Sequence, residues 1–287
     1  MKAERAALFW RDQTLPYLEL RSFQGCEAIG YAKHSHQEFS IGAVTGGLSI
    51  YLHGEQQEQI GVGAVVLMNP GEVHACNPLP GEPWTYRMLY VGADWLGDLQ
   101  RALNCADASG FRPIPFALSY DEPLYRGLLA LCDVLEDGSV AAAQKGAAAL
   151  AFFSGLVLQA APLAVERSVE RPAPSAKLLA AAAFIDEQFS RELSLDEIAA
   201  CAGLSVSYLI RAFKQQFGLT PHVYQVNRRV QFCREQLRGG QRSIIDVAIE
   251  AGFADQAHLQ RIFKRVVAVT PGQYRRGDTG RSDSHSM

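Results

Sequence analysis

The chain has 287 residues and a mass of 31.4 kDa, room for two ordinary domains joined by a short linker. With 48% hydrophobic and 20% charged residues, both domains can bury normal cores, which excludes wholesale disorder. The net charge of −3 is unevenly spread. From Ser175 onward 15 Lys and Arg stand against 11 Asp and Glu, whereas the first 174 residues hold 12 against 19, so only the back half is suited to meet a polyanion. Six cysteines (Cys26, Cys76, Cys105, Cys132, Cys201, Cys233) are scattered without a CxxC pair, and the opening MKAERAALFW carries no apolar signal segment. Both features point to a reduced, cytoplasmic protein.

From about Tyr17 to Val91 the sequence alternates in short runs: YLELRSF, EAIGYA, EFSIGAV, LSIYL, AVVLM and TYRMLYV. Turn residues such as Gly46-Gly47, His53-Gly54 and Pro70-Gly71 separate them. Short strands with glycine turns predict an all-β sandwich or barrel. Within it His34, His36 and Glu38 alternate, so a single strand would turn all three to one face, and His74 follows on a facing strand in NPGEVH. Such a donor set suits zinc, iron or manganese. The same side chains also suit a metal-free small-molecule pocket, and histidines satisfied by backbone are a third reading. Tyr31, Trp84, Tyr86 and Arg87 are further pocket candidates, Arg87 as a clamp for a carboxylate.

Helical patterning over 121–136 and 139–161, around Asp137-Gly138, predicts a helix pair. Gly146 to Val165 lacks charge for twenty residues, long enough to span a bilayer. Ser154, Gln159 and Pro162 interrupt it, however, and Leu150, Phe153, Leu156 and Val157 recur at helical spacing. It is therefore read as an amphipathic helix and no membrane span is expected. That apolar face needs covering, by a second copy in a homodimer or by the barrel. Residues 162–174, with three prolines and alternating charges, read as a linker.

The segment 175–276 is helical in pattern and contains an internal repeat. SLDEIAACAGLSVSYLIRAFKQQFGLTPHVY (194–224) aligns with SIIDVAIEAGFADQAHLQRIFKRVVAVTPGQY (243–274) at an offset of 49, rising to 50 after one inserted residue. Each copy has the grammar of a helix-turn-helix. Ser194 and Glu197 form a capping box, Gly203 ends the first helix and Ser205 caps the second. In the second copy Gly252 makes the turn and Asp255 caps the helix. Leu209, Ala212, Phe213 and Phe217, then Leu259, Ile262 and Phe263, should face inward. Ala268 stands where the first copy has Gly218. An alanine in a left-handed cap costs roughly 1 kcal/mol, so a shifted helix end or a less stable unit is expected there.

SLDEIAACAGLSVSYLIRAFKQQFGLTP, NRRVQFCREQL and DVAIEAGFADQAHLQRIFKR…TPGQYRR together resemble the DNA-binding domain of the AraC/XylS family of bacterial transcription regulators. The resemblance implies two helix-turn-helix units joined by one long helix, about Pro221 to Arg238, entering adjacent major-groove faces of double-stranded DNA. Ser207, Ile210 and Arg211 of the first unit, and Gln256, Gln260 and Arg261 of the second, should then meet base edges. Arginine pairs with guanine and glutamine with adenine, each such contact giving about 1–3 kcal/mol of discrimination. Lys214, Lys264, Arg228, Arg229 and Arg265 fall to phosphates or solvated faces.

The pair HSHQE and PGEVH likewise resembles the two motifs of cupin barrels, although Glu38 lies closer to His36 than the cupin glutamate does. HSHQEFSIGAV…NPGEVH also resembles a family branch linked to LysE-type amino-acid exporters, which implies an amino acid or a relative as effector. The expected protein is an α+β two-domain regulator and not an enzyme. It has a cupin-like effector-binding domain over 1–161 with its helix pair at 121–161, a linker at 162–174, an AraC-type DNA-binding domain over 175–276 and a disordered tail over 277–287. It would act as a homodimer, with RNA polymerase as a partner if it activates. The alternatives are a metal sensor using His34, His36, Glu38 and His74, or a metal-dependent cupin enzyme fused to a DNA-binding module.

Overall fold

A computed structural model describes residues 6–25, 30–81, 83–106, 110–167 and 175–277. The tail beyond Gly277 and the linker stretch 168–174 lie outside the described residues, as do most of the run EAIGYA. Nine strands form two antiparallel sheets. The larger contains β1 (Ala6–Trp10), β2 (Leu18–Gly25), β8 (Trp84–Val91), β3 (Phe39–Gly46), β6 (Val65–Met68) and β9 (Leu118–Ser119), in that order. The smaller is β5 (Gln56–Ile60), β4 (Ser49–His53) and β7 (His74–Pro78).

Period-two alternation assigns each face of the large sheet. Leu18 and Leu20, Phe39 and Ile41, Val65 and Leu67, and Leu89 and Val91 pack under the helices α1 (Ala93–Ala102), α2 (Glu122–Glu136) and α3 (Ala142–Arg167). The intervening residues Phe23, Val44, Val66, Met68, Tyr86 and Met88 fill the barrel interior with Tyr51, Ile60 and Cys76 from the small sheet. The sheet is thus covered on both faces, which explains its apolar runs. The predicted helix pair is present and α1 is an addition to it. The linker begins later than its prolines suggest, because α3 continues through Pro162 to Arg167.

By length and composition α3 is long enough to cross a membrane. Its Ala149, Phe153, Leu156 and Val157 are instead part of the barrel-domain core. Leu150, grouped with them by spacing, lies on the other side, exposed with Leu158 and Leu163.

The back half packs as two small cores. Leu178, Ala181 and Ile185 of α4 (Ala176–Gln188) join Ile198 and Ala199 of α5 (Leu195–Ala202) and Leu209 and Phe213 of α6 (Val206–Phe217). Val230, Cys233 and Leu237 of α7 (Pro221–Arg238) join Val247 and Ala248 of α8 (Ile244–Glu250), Leu259 and Phe263 of α9 (Gln256–Val267) and Tyr274 of α10 (Pro271–Arg276). The caps are those read from the sequence: the Ser194–Glu197 capping box, Ser205 accepting from the Tyr208 N–H, and Asp255 accepting from the His258 N–H. The end of α9 is not displaced. Ala268 takes the left-handed conformation itself (φ 62°) and donates its N–H to the Lys264 carbonyl at 3.0 Å, just as Gly218 (φ 72°) closes α6.

Candidate functional site

The second helix of each helix-turn-helix unit presents its polar face to solvent. Ser207, Arg211 and Lys214 on α6 are exposed, and so are Gln256, Gln260, Arg261 and Lys264 on α9; Ile210 is half-buried. Their capped N-termini and buried inner faces hold these side chains outward. Arg228 and Arg229 stand elsewhere. Arg228 pairs with Asp186 at 2.8 Å, and Arg229 donates to the carbonyls of Phe189, Gly252 and Arg191 at 2.7 to 2.9 Å, tying α4 to α8. Five fixed donors on one side chain suit that bracing role, which sequence position alone does not disclose.

In the front half, His34 to Gln37 form no regular strand. His34 makes an isolated bridge with His74, each donating its N–H to the other's carbonyl at 3.1 and 2.9 Å, and β3 starts only at Phe39. The rings of His34, His36 and His74 nevertheless converge, with centroids 4.5 to 6.3 Å apart. Each Nδ1 lies 2.7 to 2.9 Å from a carbonyl two residues away, of Ala32, Glu38 and Glu72 respectively. A proton on Nδ1 makes those contacts hydrogen bonds and leaves Nε2 as acceptor, the role the Ser40 hydroxyl meets at 3.2 Å from His36. Burial, and then the neighbouring imidazole, hold all three down to about 3, so they are neutral near pH 7.

The metal reading fails on geometry. Glu38 turns away to Arg234, 3.4 Å off, and among the described residues no three His, Cys, Asp or Glu side chains are arranged to hold a metal ion. The cause is the loop: without a regular strand, Glu38 does not share the face of the imidazoles.

Tyr31, Trp84 and Tyr86 do meet beside the histidines. The Tyr31 and Tyr86 hydroxyls are 2.7 Å apart, and the Trp84 and Tyr86 rings lie 4.4 Å apart between centroids. Arg87 does not join them. It follows Tyr86 on β8, so alternation sends it to the opposite face, where it pairs with Asp133 at 2.5 Å and with Glu136 of α2. The largest cavity, about 440 Å³, lies apart from this cluster, lined by Tyr51, His53, Glu55, Glu58 and Glu72 among others.

The residues that sequence reading missed are those where the two halves meet. Asn227 of α7 donates to the Ser35 carbonyl at 3.0 Å, and Ala32 donates its N–H to the Arg265 carbonyl at 3.0 Å. Phe9 of β1 enters the core of the second unit against Tyr274. Glu19, 1% exposed, accepts from Arg11 Nε at 2.7 Å and from the Tyr274 hydroxyl at 3.1 Å, with Arg238 and Arg234 at 3.5 and 3.7 Å. Burial alone would raise its pKa; the charges of Arg11, Arg238 and Arg234 outweigh burial and lower it. The available signal was LELRSF, where Glu19 and Arg21 alternate with Leu18 and Leu20 in a strand whose two faces are both covered.

The profile of the AraC-like ligand binding domain matches residues 18–153, and that of a helix-turn-helix domain matches residues 198–277. The chain belongs to the AraC family of transcription regulators. As an AraC-family member it is a DNA-binding regulator with an N-terminal ligand-binding domain. The HTH-type transcriptional activator RhaS of Klebsiella pneumoniae is 27% identical over 256 residues, 86% of this chain and 88% of that protein. The HTH-type transcriptional regulator YbfI of Bacillus subtilis is 27% identical over 230 residues, 80% and 81% of the two chains. Apo ToxT from Vibrio cholerae shares the fold, with a TM-score of 0.61 at 14% identity over 90% of this chain and 97% of ToxT.

Proposed function

We propose that the DNA binding of this AraC-family regulator is controlled by a small-molecule effector taken at the barrel mouth, with residues 1–161 as the sensing half and 175–276 as the DNA-reading half. The observation that carries this reading is the seam. Helix α7 and the end of α9 lie against the barrel beside His34, His36 and Tyr31, and two small cavities open there between them. A molecule entering at that point binds one arrangement of the halves better than another, which is the thermodynamic requirement for control.

Small molecules are the fitting effector class. ToxT, which shares the fold, has been solved with an unsaturated fatty acid bound. Ser207, Ile210, Arg211, Gln256, Gln260 and Arg261 are the proposed base readers, and Lys214 and Lys264 the phosphate contacts. Exposed Leu150, Leu158 and Leu163 on α3 favour a homodimer that holds two half-sites from the cytoplasm.

The test is binding of the full chain to a random-sequence DNA library. Arg211→Ala should relax sequence choice at its own position, and Lys264→Ala should weaken all sequences alike. Asn227→Ala, which loosens the seam, should change affinity for every sequence. Uniform loss in Arg211→Ala together with unaltered affinity in Asn227→Ala would overturn the proposal.

A further inference from the structure

The seam holds more positive than negative charge. Arg11, Arg21, Arg234 and Arg238 converge there, but Glu19 and Glu38 are the carboxylates they meet. Arg21 is the clearest imbalance. It is 2% exposed, pairs with no carboxylate among the described residues, and makes one hydrogen bond, from Nη1 to the Val267 carbonyl at 2.9 Å. Its Nε and Nη2 are buried without partners, as is Nε of Arg234, itself 6% exposed. The histidines alongside are neutral and offer no compensating charge.

The rings of Phe9, Phe23, Tyr31 and Tyr86 surround the Arg21 guanidinium with centroids 5.5 to 5.8 Å away. Aromatic faces ease a buried cation but cannot take the hydrogen bonds directed along its edge. Folded chains seldom leave a buried guanidinium without a counter-charge, because its removal from water is costly.

Two cavities meet at Arg21. One, of about 20 Å³, is shared with Arg234 across the seam; the other, of about 30 Å³, runs into the barrel between Met68, Trp84 and Met88. Water alone in that space would satisfy hydrogen bonds and leave the charge. An anion satisfies both, and the fork of Nε and Nη2 on Arg21 matches the two oxygens of a carboxylate. The Trp84 indole N–H, also buried and unpartnered, asks for an acceptor on the body of the same molecule.

We propose that Arg21 of the barrel and Arg234 of the connecting helix form an anion site at the seam between the halves, and that its occupant is the carboxylate of a small organic acid with a second acceptor near Trp84. The inference rests on the barrel mouth being the effector site and names the chemistry of that effector. Because one arginine comes from each half, the acid binds the docked arrangement in preference to the separated one and stabilises it by mass action.

The test is thermal melting and DNA affinity of the full chain in acetate, pyruvate, butanoate, inorganic phosphate or acetamide, against chloride at constant ionic strength. Carboxylates should raise the melting temperature, pyruvate more than acetate, and neutral acetamide should not. Arg21→Met should abolish that response while melting no lower than wild type, since it removes an uncompensated buried charge. A larger response to phosphate than to any carboxylate would overturn the assigned occupant. Silence from every anion, with Arg21→Met melting well below wild type, would overturn the site and make Arg21 a structural tie to Val267. Carboxylate binding that leaves DNA affinity unchanged would support the site and sink effector control. Silent anions alongside altered DNA affinity in Asn227→Ala would sink the site alone.

Discussion

Replacing Glu19 by glutamine keeps the shape of the side chain and removes the charge that three arginines share. The carboxylate accepts from Arg11 and Tyr274 and faces Arg234 and Arg238, so its loss leaves guanidinium charge at the seam with Glu38 as the remaining acid. Breaking a buried ion pair by removing one partner costs about 3–5 kcal/mol. Arg11 and Arg238 keep some contact with solvent, at 16% and 28% exposure, which favours the lower end. A glutamine oxygen still accepts from Tyr274. At about 3 kcal/mol, and some 2–4 °C per kcal/mol for a chain of this size, the melting temperature should fall by roughly 6–12 °C.

Scanning calorimetry measures that fall, with Glu58→Gln on exposed strand β5 as a control expected to shift little. Hydrogen exchange should locate the change. Amides of β2, α7 and α10 should lose protection together, because Glu19 joins those elements. A Glu19→Gln protein that melts with the control, or that loses protection only within β2, would refute the claim that this carboxylate holds the halves together.

Two further outcomes follow from the same geometry. His34, His36 and His74 are held near 3 when folded, whereas unfolded imidazoles titrate near 6.5, so the unfolded state takes up protons first as pH falls. Stability should therefore decline from about pH 6.5 downward, by at most about 4 kcal/mol per pH unit for three sites, and His74→Gln should flatten that decline in melting measured between neutral and mildly acid pH; identical slopes would contradict it. The two turn glycines should respond unequally to alanine in chemical denaturation. At Gly203 (φ 59°) the nearest atom to an added Cβ is Lys177 Nζ at 3.9 Å, so the cost is about 1 kcal/mol of backbone strain. At Gly252 (φ 82°) the Cβ would lie 1.8 Å from the Ser190 carbonyl oxygen, and the cost should reach about 3 kcal/mol or more. Equal losses would mean the α8–α9 turn is looser than its contacts indicate.

The helix-turn-helix pair was legible in the sequence because its determinants are local. Ser194 with Glu197, Ser205, Gly203 and Asp255 each act within a few residues, and repetition at nearly constant offset removed the ambiguity a lone motif would carry. Even the departure at Ala268 could be located, though whether the helix would shift or the alanine accept a left-handed backbone depended on packing around it. The barrel was legible as a class, since alternation and turn glycines mark strands.

Which strand residue meets which neighbour was not legible, and here the tertiary structure decided. Spacing put His34, His36 and Glu38 on one strand face, but the bridge to His74 and the pull of Arg234 sent Glu38 elsewhere. Arg87 looked like a pocket residue because it neighbours Tyr86, yet one step along a strand reverses the face. Glu19 and Arg21 read as solvent-facing charges in a half-buried strand until the second domain covered them. Such contacts join residues as far apart as Glu19 and Tyr274. Local propensity carries no information across that separation: only the docking of one folded half on the other turned two charges on β2 into the buried seam through which the protein can be controlled.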